Sequence, residues 1–175
     1  MHVIFVEPCF PNNQRQFVRA LHEVGAVVTG IGEIPKESLP GEVKGWLTHY
    51  VQVPSVVHEP SLLEAVKGIQ KLGWVDRLEA TVEAHILAAA RVRAQRAIPV
   101  TSVRTSHLCR DKPAMKEALR DAGIPCAQSI GTDDAKEVRE FVREVGYPVI
   151  LKPRAAAGAA GTFKAANDDE LESAI

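Results

Sequence analysis

The stretch YPVILKPRAAAGAAGT, residues 147–162, carries most of the information about this chain. It opens with a short apolar run that ends at Leu151, and such a run next to prolines is typical of a buried β-strand. Lys152 follows at the exit of this strand, and a loop of alanines and glycines then extends to Gly161. The strand, the lysine and the loop of small residues together predict an element that binds phosphate.

The physical reason for phosphate binding lies in the size of the loop residues and in charge. Small side chains let successive backbone N–H groups approach an anion closely, and Gly158 and Gly161 adopt positive φ without steric cost. Lys152 adds a point charge for phosphate oxygens. An ordinary β-hairpin with a flexible tip and a solvated lysine is an equal alternative on the loop alone. A Walker loop is absent, and G-x-G-x-x-G does not follow the first strand, which disfavours a nicotinamide-binding protein.

A second lysine, upstream of this stretch, begins the segment KPAMKEALRDAGIP, residues 112–125. Asp111 is a favourable N-cap residue, and the apolar spacing predicts a helix that ends at Gly123. Lys112 alone could be a solvated lysine in the first turn. In this order, however, D-K-x-x-M-K-x-x-L-x-x-A-G-I-P followed by G-Y-P-V-I-L-K-P resembles the ATP-grasp superfamily of carboxylate–amine and carboxylate–thiol ligases. The resemblance covers residues 102–175, and residues 1–101 look like that family's pre-ATP-grasp domain.

The resemblance implies roles for individual residues. Lys112 would contact the nucleotide phosphates, Lys152 would bind phosphate near the adenine, and the loop would cover the β and γ phosphates. The loop residues concerned are Ala157, Gly158, Ala159, Ala160 and Gly161. Many family members have more glycines or a serine where this chain has alanines, and alanine disfavours positive φ. Arg154 and Glu83 are candidates for phosphate or substrate contact, the alternatives being a solvated arginine and a charge on a helix surface.

The rest of the sequence predicts an α/β fold. An apolar run at residues 3–6, an amphipathic helix before Gly25 and a second strand at residues 26–31 form a βαβ unit. A third strand is predicted at residues 50–53, a long helix at about 77–95, a strand at 126–130 and a helix capped by Asp133. With these elements, the resemblance implies a Rossmann-like pre-ATP-grasp domain with a parallel sheet over residues 1–105. An incomplete α+β ATP-grasp subdomain is expected over residues 106–175.

The composition is that of a soluble globular protein, with 46% hydrophobic residues, 25% charged residues and a net charge of -1. No apolar run approaches the roughly 20 residues that span a bilayer, and the balanced charge disfavours nucleic acid as a partner. Cys9, Cys109 and Cys126 are widely spaced without C-x-x-C, which favours a reducing, cytoplasmic location. His85 and His107 are interpreted as surface or hydrogen-bonded histidines.

The resemblance also implies a reaction. The parent enzyme would phosphorylate a small-molecule carboxylate with ATP, and an amine or thiol would attack the acylphosphate to form, with an amine, a C–N bond. ATP and Mg²⁺ are the expected cofactors, and a homodimer is considered for the full-length protein. In that family the metal ligands and the catalytic arginine come later in the module, beyond Ile175, so the 175-residue piece is expected to be inert alone.

Other functions remain open from the residues. They are a non-catalytic nucleotide-binding regulatory module, a biotin-carboxylase-like ATP-grasp enzyme, and an unrelated flavodoxin-like or dehydrogenase-type protein. The ligase reading needs Lys112 and Lys152 in one cleft, whereas the unrelated protein would permit them anywhere.

Overall fold

The computed structural model describes residues 1–99, 101–156 and 160–175, and the chain forms two compact units, Met1–Ser106 and His107–Ile175. The first unit holds a sheet of four strands and the second a sheet of two. No helix in the described part of the chain is both long enough and apolar enough to cross a membrane.

The first unit is organised around a parallel sheet. Its strands are β1 (His2–Val6), β2 (Val27–Gly32), β3 (His49–Gln52) and β4 (Arg77–Glu79). They are parallel to one another in the order β3-β2-β1-β4. The helices are α1 (Gln14–Glu23), α2 (Gly41–Trp46), α3 (Glu59–Gln70) and α4 (Ile86–Gln95), with a 3₁₀ turn at Lys36–Ser38. A further helix, α5 (Val103–Arg110), begins in the first unit and ends in the second. The predicted mixed α/β fold with a parallel sheet is confirmed.

Both faces of this sheet are covered, because side chains alternate along each strand. Ile4 and Val6 of β1 pack with residues of α3 and α4, such as Leu62, in the main hydrophobic core. Phe5, between them in sequence, belongs to a second cluster with Val18 of α1. A strand buried on both sides must be apolar throughout, which explains the uninterrupted apolar run at the start of the chain.

The second unit contains the stretch that opened the sequence analysis. Its elements are α6 (Lys112–Asp121), α7 (Ala135–Val145), β5 (Val149–Leu151), β6 (Phe163–Ala165) and α8 (Asp168–Ala174). β5 and β6 are antiparallel, with Leu151 opposite Phe163. Val142, Ala165 and Leu171 form the small core of this unit. The hairpin that was the alternative interpretation is therefore present, and the loop between Leu151 and Phe163 joins its two strands.

The prediction of one long helix at residues 77–95 is wrong. Residues 77–79 form β4, which pairs with β1 so that Leu78 lies opposite Ile4, and α4 begins only at Ile86. Leu78 is fully buried in the main core. The helix-forming composition of this segment is overridden because pairing with β1 and burial of Leu78 stabilise the strand. Glu83 consequently lies in the turn before α4 and not on a helix.

Two predictions in the second unit also need correction. Residues 126–130 form no strand, because the carbonyl of Ala127 accepts hydrogen bonds from the side chains of Lys116 and Arg120 instead of from a neighbouring strand. The cap of α7 is Asp134 and not Asp133, since the Asp134 carboxylate accepts the N–H of Lys136 at 2.7 Å.

Candidate phosphate-binding site

The loop after β5 starts with a lysine that faces solvent. β5 ends at Leu151, and Lys152 follows immediately as an exposed residue. Among the described residues, no hydrogen bond or ion pair of its ammonium is found. Ala160 and Gly161 are also exposed, at the far end of the loop. Three residues predicted to bind ATP, Ala157, Gly158 and Ala159, lie outside the described residues.

Lys112 is the first residue of α6, and its position is set by the cap before it. The Asp111 carboxylate accepts the N–H of Ala114 at 2.9 Å, as an N-cap residue does, and Pro113 occupies the first turn, where its missing N–H has no consequence. The predicted cap of this helix is confirmed. Lys112 therefore projects from the end of the helix where unpaired N–H groups and the helix dipole favour an anion.

The ammonium of Lys112 contacts the loop after β5. Its Nζ donates to the carbonyl of Ala156 at 3.0 Å, and the carbonyl of Arg154 is 3.5 Å away. Residues separated by more than 40 positions are thus brought together, and a cation lies directly against the loop of small residues. An ammonium has three donors, so Lys112 retains donors for phosphate oxygens while it holds Ala156.

The start of the loop carries a second charged contact. Arg154 Nε donates to Asp111 Oδ2 at 2.5 Å, and Arg110 donates to the carbonyl of Ala155 at 2.8 Å. The hydrogen bond from Arg154 is the largest cause that lowers the pKa of Asp111, and the N–H of Ala114 lowers it further. The same pairing raises the pKa of Arg154. Asp111 is thus an anion, and Arg154 a cation, across the ordinary pH range.

Gly161 closes the loop in a conformation that needs glycine. Its φ is +65°, and a Cβ at this position would lie 2.8 Å from Cγ of Pro153. Real Cβ atoms essentially never approach that closely, so a side chain at this position would overlap the ring of Pro153.

The charges at this end of the second unit favour an anion. Four cationic side chains lie here, those of Arg110, Lys112, Lys152 and Arg154, and Arg154 pairs with Asp111. Among residues 1–99, 101–156 and 160–175, no group of three or more His, Cys, Asp or Glu side chains could hold a metal ion. The donor set fits a polyphosphate.

The last of the predicted contact residues, Glu83, belongs to the first unit. Asp111 is a residue of the site that sequence reasoning recognised only as a helix cap. Its second contact, with Arg154, joins residues 43 positions apart. No local pattern in the sequence signals that contact.

The first unit has polar groups of its own at the carboxyl ends of β1 and β4, where the strand order reverses and ligands of open α/β sheets usually bind. Glu7 follows β1 with a φ of 54°. Its Oε1 accepts the N–H of Glu33 at 2.7 Å, and burial raises its pKa. His85 precedes α4; burial lowers its pKa, and its Nδ1 is buried without a hydrogen-bond partner among the described residues. This differs from the surface or hydrogen-bonded histidine that was expected.

Comparison with known proteins agrees with the geometry of the second unit. Residues 111–175 match the family described as "Carbamoyl-phosphate synthase L chain, ATP binding domain". The L-arginine-specific L-amino acid ligase of Bacillus subtilis is 28% identical over 118 residues, which are 67% of this chain and 29% of that protein. The segment that matches the family model begins at Asp111, the residue that caps α6 and pairs with Arg154.

Solved structures resemble nearly the whole chain. The biotin carboxylase domain of the 2-oxoglutarate carboxylase of Hydrogenobacter thermophilus, solved with MgADP, has a TM-score of 0.72 at 22% identity and covers 98% of this chain and 40% of that one. An L-amino acid ligase from Bacillus licheniformis has a TM-score of 0.71 at 15% identity and covers 99% and 41%.

These likenesses show the fold, and the chain spans less than a third of the Bacillus subtilis ligase and about two fifths of the two solved chains. Residues 111–175 thus match the ATP-binding domain family of the carbamoyl-phosphate synthase large chain, and nearly the whole chain has the fold of a biotin carboxylase domain and of an L-amino acid ligase.

Proposed function

We propose that this chain binds ATP and is the ATP-binding part of a ligase that joins a carboxylate to an amine or thiol. The observation that carries the proposal is the contact of the Lys112 ammonium with the carbonyl of Ala156, at 3.0 Å. It sets a cation at a helix N-terminus against a loop of alanines and glycines, which is the combination that phosphate binding needs.

The chain's own residues would act on the charge of the triphosphate. Lys112 and Lys152 would offset the negative charge of phosphate oxygens through charge-assisted hydrogen bonds, and backbone N–H groups of the loop up to Gly161 would donate to them. ATP, the substrate, would transfer its γ-phosphoryl group to a carboxylate oxygen, which forms the acylphosphate and releases ADP. Attack of the amine or thiol on the acylphosphate would then release inorganic phosphate.

The relatives support a carboxylate–amine reaction over the other candidates. The Bacillus subtilis relative, which aligns over two thirds of this chain, is named an L-amino acid ligase. We therefore propose small-molecule carboxylates and amines as partners.

A biotin-carboxylase-like role is the second candidate. It is favoured by a 37% identity over 65 residues with a 2-oxoglutarate carboxylase small subunit. That match covers only 35% of the chain, so we rank it second.

Direct binding of ATP tests the proposal. Binding, and not turnover, is the measurement because the chain spans only part of its relatives. Isothermal titration of ATP into the wild-type chain should give a saturable curve. Lys112→Met and Lys152→Met should each weaken binding about tenfold or more, because each removes a hydrogen bond between charged groups. Lys136→Met is the matched control: it removes the same charge from an exposed position of α7 and should leave binding unchanged. Equal affinities for all four proteins would contradict the proposed site.

A further inference from the structure

Residues 154–156 of the loop form hydrogen bonds with residues 110–112, which lie just before and at the start of α6. Arg154 bonds Asp111, the carbonyl of Ala155 accepts from Arg110, and the carbonyl of Ala156 accepts from Lys112. The last two contacts use backbone carbonyls, which any residue at those positions would supply. The contact between Arg154 and Asp111 is the one of the three that depends on both side chains, so it alone specifies which loop residue lies at which place.

The carboxylate of Asp111 makes this contact from a fixed position. Its Oδ1 accepts the N–H of Ala114, and its Oδ2 accepts Arg154 Nε. The side chain of Asp111 is 12% exposed, whereas that of Arg154 is 64% exposed. The aspartate is therefore the rigid member of the pair, anchored to the helix, and the arginine is the member that the loop brings to it.

We propose that Asp111 and Arg154 are a positioning pair: Arg154 acts on ATP by fixing the loop against α6 through Asp111, and not by contact with a phosphate. A slip of the loop by one residue would place Pro153 or Ala155 opposite Asp111, and neither carries a side-chain donor. The pair thus fixes the register in which Lys112 meets Ala156. This inference rests on the proposed function, since it concerns the same ATP site.

A positioning role for Asp111 and simple electrostatics predict opposite effects on ATP binding when its charge is removed. A carboxylate close to a polyphosphate repels it, so simple electrostatics predicts that removal of the Asp111 charge strengthens ATP binding. If Asp111 is a positioning residue, the opposite holds, because loss of the pair frees the loop. Removal of Arg154 alone is worse than removal of both charges, since it leaves an unpaired carboxylate next to the phosphates.

The binding experiment uses Asp111→Asn, Arg154→Gln, the double variant and Arg154→Lys. Asparagine is also a good N-cap, so Asp111→Asn retains the bond to Ala114 and leaves α6 intact. Asp111→Asn should weaken ATP binding about three- to fivefold, the range of a partly exposed ion pair. Arg154→Gln should weaken it more, the double variant should bind better than Arg154→Gln, and Arg154→Lys should stay close to wild type. Unchanged or tighter binding by Asp111→Asn, or a double variant as weak as Arg154→Gln, would overturn the pair.

A second measurement needs no nucleotide and separates this inference from the proposed function. Trypsin cleaves after arginine, and an arginine held by a carboxylate is a poorer substrate than a free one. Asp111→Asn should therefore accelerate cleavage of the bond between Arg154 and Ala155, with cleavage after Arg143, an exposed residue of α7, as the internal control. Should wild type fail to bind ATP, the proposed function fails, while faster cleavage at Arg154 still supports the pair. Equal cleavage rates in wild type and variant would refute it.

Discussion

Replacement of Gly161 by alanine should destabilise the second unit for two separate reasons. An alanine with a φ near the +65° of Gly161 is strained by about 1 kcal/mol or somewhat more. In addition, its Cβ would lie 2.8 Å from Cγ of Pro153, well inside the roughly 3.5–4.0 Å of an ordinary carbon contact. Relief of such an overlap costs about 1–3 kcal/mol. Because a proline ring cannot rotate away, we expect the free energy of unfolding to fall by about 3 kcal/mol, a factor of about 150 in the equilibrium constant.

Two other glycines separate these contributions within the same unit. Gly123 has a φ of +71° and nothing within 4 Å of an added Cβ, so Gly123→Ala carries only the conformational cost of about 1 kcal/mol. Gly131 has no positive φ, but an added Cβ would lie 2.7 Å from Cγ of Pro113. Gly131→Ala therefore carries only the steric cost. The double variant Pro153→Ala with Gly161→Ala should recover the steric part of the loss.

The measurement must report on the second unit. Trp46 and Trp74, the two tryptophans of the chain, are both in the first unit, so tryptophan fluorescence does not follow the second. Amide hydrogen exchange of peptides from α7 and β5, read by mass spectrometry, gives its opening free energy. If Gly161→Ala lowers the opening free energy by no more than Gly123→Ala does, the argument from the contact with Pro153 is refuted.

Three further predictions concern the two units separately. Leu78→Ala should lower the stability of the first unit by about 2–5 kcal/mol in urea titrations followed by tryptophan fluorescence, whereas Leu72→Ala, at a position 78% exposed, should change it by less than about 0.5 kcal/mol. Because burial raises the pKa of Glu7 above its ordinary value of 4.5, its contribution to stability is complete below that value and is lost as the pH rises through the folded pKa. Glu7→Gln, which stays neutral, should therefore gain stability relative to wild type as the pH rises above 4.5 and through the folded pKa of Glu7. A difference that does not change with pH would contradict the burial argument. Asp134→Ala should cost the second unit about 1 kcal/mol by hydrogen exchange because α7 loses its cap, while Asp133→Ala should cost nothing measurable; equal losses would contradict the assignment of the cap.

Local patterns allowed the parts of the site that depend on nearby residues to be predicted. The cap at Asp111 needs only an acceptor three positions before an N–H, and the strand before Lys152 needs only an apolar run. These features were recognised because their physics lies within a few residues. The start of β1 was equally predictable, since a strand buried on both faces has to be apolar.

Other features depend on partners far along the chain. β4 is only three residues long, and its sequence favours a helix. It forms a strand because it pairs with β1. The carbonyl of Ala127 is satisfied by Lys116 and Arg120, and a sequence pattern cannot distinguish that arrangement from a strand. The pairing of Arg154 with Asp111 likewise joins residues far apart in the sequence. From the local sequence alone, Arg154 is an ordinary surface charge and Asp111 an ordinary helix cap.

The attachment of the loop to a hairpin has a consequence for how this protein can change. Both ends of the loop are fixed by the three residue pairs of β5 and β6, and the closure entropy of a flexible loop rises by only about 0.6 kcal/mol when its length doubles. Insertions at the tip therefore cost the hairpin little. Changes in the length and composition of the tip can therefore accumulate while the hairpin beneath it stays as it is.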